Sequence, residues 1–179
     1  MLRHGNDAAQ NQGSAGDRIH AEDGEVGSVG ELYFDDQAWD VRYLAVDTRR
    51  WMPGRKYFIS PVAIGRSRRF ATRGDIRVEL TRDQISRCPT APQANLRSST
   101  EVLGCGIDAR DGAIGTVSDL VVDDDTWDIT DVLVDSRDWL RGSMLLISPE
   151  VIERIDWREK TMHVSLARED ILQAPEVRL

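Results

Sequence analysis

Apolar residues in this chain fall into short alternating runs separated by turn residues. In the second half, Ile114, Val117, Leu120 and Val122 form one run, Ile129, Val132, Leu133 and Val134 a second, and Met144 to Ile147 a third. Runs this short, bounded by Gly, Asp and Ser, predict strands. The spacing slips from strict alternation near Ser118, which predicts a bulge there. Across 127–135, Val132 and Val134 share one face while Ile129 and Leu133 share the other. In the first half, Leu44 and Val46 oppose Val41, Tyr43 and Ala45 in the same way. A strand apolar on both faces is expected to fill a barrel with one face and meet a neighbour with the other.

The punctuation supports the same reading. Asp23-Gly24 and Asp111-Gly112 are signals for a two-residue type I′ hairpin, since Asp and Gly tolerate the positive φ that both central positions need. Ser148-Pro149-Glu150 reads as a helix start of about one turn, with Ser as N-cap and Pro at N1. Late strands are predicted at Ile155–Trp157 and Met162–Leu166. A short helix at Arg168–Gln173 should stop before Pro175. Long amphipathic helices are absent from the pattern. Each half therefore predicts about six short strands with close turns and short helical turns, the pattern of a small closed β-barrel, in which closure removes the sheet edges.

The two halves are copies. Shifted by 88 residues, 22–66 and 110–154 share 19 identities in 45 positions, where chance gives about 3 at typical composition. Asp23-Gly24, Gly27, Asp35-Asp36, Trp39-Asp40, Val46-Asp47, Arg49, Trp51, Gly54 and Ile59-Ser60-Pro61 all recur. Further along the register slips by two, so that Val78, Leu80, Arg82 and Ile85 match Val164, Leu166, Arg168 and Ile171. The first copy thus has the longer loop. Two copies of a long period mean duplicated domains, because a solenoid needs three or more short repeats. The expected organisation is a disordered N-terminus at 1–16, a first domain at 17–88, a linker at 89–100 rich in Pro and small polar residues, and a second domain at 101–179.

The order of signals is DG-x-x-G, an apolar strand, an acidic turn, a strand ending in Val-Asp, a W-x-x-G turn and an Ile-Ser-Pro corner. In this order they resemble the PRC-barrel family, and bacterial tandem PRC-barrel proteins in particular, over about 19–88 and 101–175. That family is named for the cytoplasmic domain of the photosynthetic reaction centre H subunit and includes the C-terminal domain of the ribosome-maturation protein RimM. The H subunit carries a membrane-spanning helix and RimM a separate N-terminal domain, and neither feature is found here. The resemblance implies an all-β protein of two tandem PRC-type barrels that contacts other proteins, with no photosynthetic or ribosomal role transferred.

Charge and cysteine usage narrow the classes. The chain has 179 residues and a formal net charge of −8, and a pI near 4.9. A general nucleic-acid binder needs a basic face, so nucleic acid is not an expected partner. The exception to the acidic balance is the stretch Arg66, Arg68, Arg69, Arg73 and Arg77. Cys88 and Cys105 form no CxxC pair, which leaves a disulfide framework or zinc site unsupported and fits a reduced, cytoplasmic setting. No stretch reaches the ~18 apolar residues of a spanning helix, and the polar start lacks the apolar core of a secretion signal.

No catalytic, cofactor or metal site is expected. Gly24, Gly27 and Gly30 form GxxGxxG, but the dinucleotide fingerprint is GxGxxG opening a helix, and turn and bulge glycines explain this spacing better. Asp123, Asp124, Asp125 and Asp128 lack the sixth-position Gly and distant Glu of a calcium loop, so a solvated acidic turn is preferred. Asp47 and Asp135 recur once per copy, which suits a turn cap or a pair with Arg49 and Arg137 better than acid–base catalysis. His4, His20 and His163 have no ligand or triad spacing, and no G-x-S-x-G elbow exists.

An interaction surface is the remaining candidate. Trp39, Trp51, Trp127 and Trp139 are paired between copies and serve cores and interfaces equally well. Tyr43 and Tyr57 have no aromatic counterpart in the second copy, which places Asp131 and Leu145 there, so the two surfaces differ. Arg66, Arg68, Arg69 and Arg73 form either a solvated loop or an attachment point for an anionic lipid head or acidic partner at the inner membrane. The sequence therefore points to a non-catalytic binding or scaffolding module whose partner it does not identify, self-association included. Two readings compete with it: a ligand site or enzyme in a cleft between barrels, and peripheral attachment to a membrane complex through the basic loop.

Overall fold

A computed structural model describes residues 16–48, 51–64, 75–123, 125–136, 144–171 and 176–177. The protein is all-β with a few short helices. Its described residues divide into a first unit, 16–100 together with the turn at 123–128, and a second unit, 101–122 and 129–177. Among them no helix is long and apolar enough to cross a membrane.

In the first unit the strands are β1 (Arg18–Ala21), β2 (Gly24–Asp35), β3 (Asp40–Asp47), β4 (Lys56–Ile59), β5 (Asp75–Arg77) and β6 (Arg97–Ser98). They form one sheet in the order β4-β3-β2-β1-β5, with β6 added to β2. The β1–β5 pairing is parallel and the others are antiparallel. Helix α1 (Arg82–Ile85) follows β5, and α2 (Ser99–Val102) follows β6. The second unit holds β7 (Gly106–Ala109), β8 (Gly112–Val122), β9 (Ile129–Asp135), β10 (Met144–Ile147), β11 (Ile152–Asp156), β12 (Thr161–Val164), helix α3 (Arg168–Ile171) and β13 (Glu176–Val177). Its order is β11-β12-β7-β8-β9-β10-β13, with β7 and β12 parallel.

The inner faces match across the duplication. Val29 pairs with Val46, Leu32 with Leu44, Leu44 with Ile59 and Val46 with Tyr57. In the second unit Val117 pairs with Val134, Leu120 with Val132, Val134 with Leu145 and Val132 with Ile147. All are buried, and each fully buried aliphatic side chain contributes about 1.5–3 kcal/mol over an exposed one. Bulges shift β2 against β3 at Gly30 and β8 against β9 at Ser118, the second as the alternation predicted. The Ser-Pro corners cap single 3-10 turns, with Ser60 accepting from the Val62 amide and Ser148 from the Glu150 amide.

The Asp-Gly pairs correct the expected type I′ hairpin. Ala21 pairs with Gly24 and Ala109 with Gly112, so the loops are Glu22-Asp23 and Arg110-Asp111, one residue earlier than predicted. None of these four loop residues has a positive φ; Gly24 and Gly112 do, at 139° and 143°. Both residues of each pair are held by distant partners instead. Asp23 Oδ1 accepts the Arg82 amide at 2.8 Å, and Asp111 Oδ1 accepts the Arg168 amide at 2.8 Å. The Arg82 guanidinium lies over Gly24 and donates to the Glu25 carbonyl through Nη2 at 2.6 Å and Nε at 3.2 Å. Arg168 donates to the Ala113 carbonyl in the same way. A Cβ on Gly24 or Gly112 would sit 2.7 or 2.9 Å from that guanidinium.

The second glycine of each motif permits a backbone crossing. A Cβ at Gly27 would lie 2.0 Å from the Asp47 carbonyl oxygen, and one at Gly115 would lie 2.1 Å from that of Asp135. Overpacking against backbone costs about 1–3 kcal/mol, so Gly27→Ala and Gly115→Ala are each expected to lose at least that much in urea unfolding. Gly30→Ala, whose nearest neighbour stands 3.7 Å away, should stay within about 0.5 kcal/mol of wild type. Equal losses at Gly27 and Gly30 would refute this account of the motif.

Candidate interaction site

The candidate aromatic residues separate when placed in the fold. Trp39 and Trp127 both adopt positive φ, 56° and 65°. Each closes an acidic turn in which one carboxylate organises the loop. Asp35 Oδ1 accepts the Gln37 and Ala38 amides, while Asp123 Oδ1 accepts those of Asp125 and Thr126 at 2.8 Å. The two amide donors hold the Asp123 carboxyl below the ordinary carboxylate range. Trp39 is buried and stacks on Phe34 at 5.5 Å. Trp127 is half-buried, as is Trp51, which tilts against Tyr57 at 6.3 Å. Tyr43 is half-buried, edge-on to Phe58. Trp139, Arg66, Arg68, Arg69 and Arg73 lie outside the described residues.

Other chemistry-bearing residues take structural places. His20 Nε2 lies 3.3 Å from Asp75 Oδ1, which Arg18 also engages at 3.0 Å. Burial pushes up both thiols, Cys88 and Cys105, which leaves them in the unreactive thiol form at neutral pH.

Sequence reasoning missed a polar cluster on β2. Glu31 follows the Gly30 bulge and lies on the outer face of the sheet with Tyr33, Tyr43, Ala45 and Phe58. Residues 89–100, expected to be a plain linker, run along this region. The Pro89 carbonyl accepts the Phe58 amide at 2.9 Å. Further on, β6 adds to β2, pairing Ser98 with Tyr33 and Arg97 with Phe34. Ser99 Oγ accepts the Leu32 amide at 3.1 Å. The hydroxyls of Ser98 and Thr100 both donate to Glu31 Oε2, and Lys56 Nζ lies 3.0 Å from Oε1. Arg97 Nε reaches Asp36 at 3.3 Å.

Burial alone would raise the Glu31 carboxyl. The hydrogen bonds from Ser98, Lys56 and Thr100, with the Lys56 charge, outweigh it and hold the group below its ordinary value. The available sequence signals were an acidic residue just after a strand glycine and a run of three hydroxyl residues ending the linker.

The second unit puts Asp119 at the Glu31 position, directly after the Ser118 bulge. Its surroundings differ. The Leu120 amide, counterpart of the Leu32 amide, donates to Asp119 Oδ1 at 2.8 Å, where the first unit uses Ser99. Burial raises the Asp119 carboxyl, offset in part by that amide. No family model matches this chain, and no curated protein matches it.

The two carboxylates should respond oppositely to pH. Because the folded-state pKa of Glu31 is depressed, its stabilising contribution is present above the unfolded value, ordinarily about 4.3, and is lost as pH falls through the folded value. Glu31→Gln should therefore cost about 1–2 kcal/mol at pH 7 and progressively less in acid. The folded-state pKa of Asp119 is raised, so its ionisation costs stability as pH rises past the unfolded value, and the cost is fully present above the folded value. Asp119→Asn should stabilise the chain at neutral pH, with the gain vanishing in acid where wild-type Asp119 is protonated. Thermal unfolding from pH 3 to 8 measures both, and parallel curves for the two variants would contradict the assignment.

Proposed function

We propose that the chain is a non-catalytic protein-binding or scaffolding module built from two PRC-barrel-type units. The order of motifs along each copy supports the PRC assignment. The observation that carries the binding role is the strand addition in the first unit. There an extended segment lies along β2, with pairing at β6, a serine hydroxyl on a strand amide and two hydroxyls on one carboxylate. Strand addition of this kind is a general mode of peptide recognition, in which main-chain hydrogen bonds give affinity and side-chain contacts give specificity.

The internal use of the conspicuous polar residues supports the same reading. Asp23 and Asp111 hold helix amides, Asp35 and Asp123 organise turns, and Gly24, Gly27, Gly112 and Gly115 accommodate close approach. These aspartates and glycines are thus engaged in holding the fold.

Immobilised full-length chain is expected to retain a defined protein from native lysate. The purified pair should form a stoichiometric complex in sedimentation, with cross-links mapping to strand edges or outer sheet faces. A chain that retains no protein but turns over or saturably binds a small molecule would overturn the proposal.

A further inference from the structure

The duplication provides an internal comparison, because one edge carries a strand in the first unit and its counterpart carries none among the described residues of the second. In the first unit the edge of β2 over Leu32–Phe34 is covered by Arg97–Ser99, with Thr100 reaching back to Glu31. The equivalent stretch of β8 is Leu120–Val122. Among the described residues β8 pairs only with β7, through Gly112–Thr116, and with β9. Among the described residues no strand pairs with Leu120–Val122 on the side that β6 occupies in the first unit.

Two features of this β8 edge parallel those of the β2 edge. The acidic residue after the bulge is retained as Asp119, half-buried, and its one hydrogen bond among the described residues comes from the next amide in its own chain. In the first unit the equivalent carboxylate takes two hydroxyls and an ammonium. The outer face is also apolar at its centre. Leu133 is buried, and Val121, Met144 and Leu146 are half-buried. Asp131, opposite Val121, and Asp119 give this face an acidic character. An occupant of complementary charge is therefore basic and rich in hydroxyls, as Arg97-Ser98-Ser99-Thr100 is.

We propose that the β8 edge at Asp119–Val122 binds an extended peptide of a partner protein. The peptide carries an arginine followed by consecutive Ser or Thr residues and adds antiparallel to β8, as β6 adds to β2. The Asp119 carboxylate accepts its hydroxyls, and the Leu120 amide is released from Asp119 to an incoming serine oxygen. This deepens the protein-binding reading and rests on it.

The test uses full-length protein and the end-blocked peptide Asn-Leu-Arg-Ser-Ser-Thr, the sequence of residues 95–100, followed by backbone amide NMR. Saturable shifts are expected at Asp119–Val122. Asp119→Ala should weaken binding about tenfold or more, the loss of charge-assisted hydrogen bonds, and Asp119→Glu should restore it. A peptide with alanine at the three hydroxyl positions should bind as weakly as the wild-type peptide binds Asp119→Ala. Absence of shifts at millimolar peptide overturns the proposal, as do shifts confined to Leu32–Phe34 or binding indifferent to Asp119→Ala. Concentration-dependent shifts at Asp119–Val122 without peptide would assign the edge to a second copy and overturn it too. A captured partner whose footprint lies elsewhere sinks the edge assignment and leaves the protein-binding reading intact. Peptide binding in a chain that captures no protein separates the two in the opposite direction.

Discussion

Each unit depends on an arginine that closes over its own first hairpin. A two-stranded hairpin is marginal in water, and both hairpins here are interrupted. The register of β1 against β2 shifts so that Val26 is the extra residue, and β7 against β8 shifts at Ile114. The shift drives Val26 and Ile114 into the core, where each is 1% exposed. It also breaks the ladder beside the preceding carbonyls of Glu25 and Ala113. Arg82 and Arg168 satisfy these carbonyls with paired N–H donors, while Asp23 and Asp111 hold the amides of the same arginines. The first hairpin and the closing helix of each unit are thereby locked reciprocally across more than fifty residues of chain. A hydrogen bond from a charged donor such as this contributes about 1.5–3 kcal/mol at most, a sizeable share of the stability of a domain this small.

This arrangement explains what the sequence could and could not convey. The duplication, the β9 and β10 strands, the Ser118 bulge and the Ser-Pro corners were legible because each follows from local chemistry: alternation at period two, a slip in that alternation, a hydroxyl before a proline. The Asp-Gly pairs misled for the converse reason. Their local chemistry suits a type I′ turn, but Asp23 and Gly24 answer to Arg82, and Asp111 and Gly112 to Arg168. A long-range partner outranked the local preference. The register slip that aligns Arg82 with Arg168 was visible in the sequence, but nothing along the chain tied those arginines to the glycines.

The polar cluster on β2 was hidden in the same way. Residues 89–100 have the composition of a connector, and composition speaks only to intrinsic order. Their order comes from the surface they lie on. Ser98 is buried because Glu31 is there to accept its hydroxyl, and Glu31 is ionised at low cost because Ser98, Thr100 and Lys56 supply donors. The carboxylate and the strap stabilise each other, and neither shows this when the sequence is read alone.

The duplication also separates residues that build the fold from residues free to vary. The inner-face pairs, the clasping arginines, the paired glycines and the turn-forming aspartates are retained in both units. On the outer face, Tyr33, Tyr43 and Phe58 of the first unit stand where the second has Val121, Asp131 and Leu146. The acidic residue after the bulge is the exception, being kept on that face as Glu31 and Asp119. In the first unit its partners stabilise the charge. In the second, burial makes the charge unfavourable and a single neighbouring amide answers it. A half-buried carboxylate whose charge burial disfavours gains from any further donor brought to it. The strap on the first unit shows the chemistry such donors have: hydroxyls on an extended chain, aligned with the strand that carries the carboxylate.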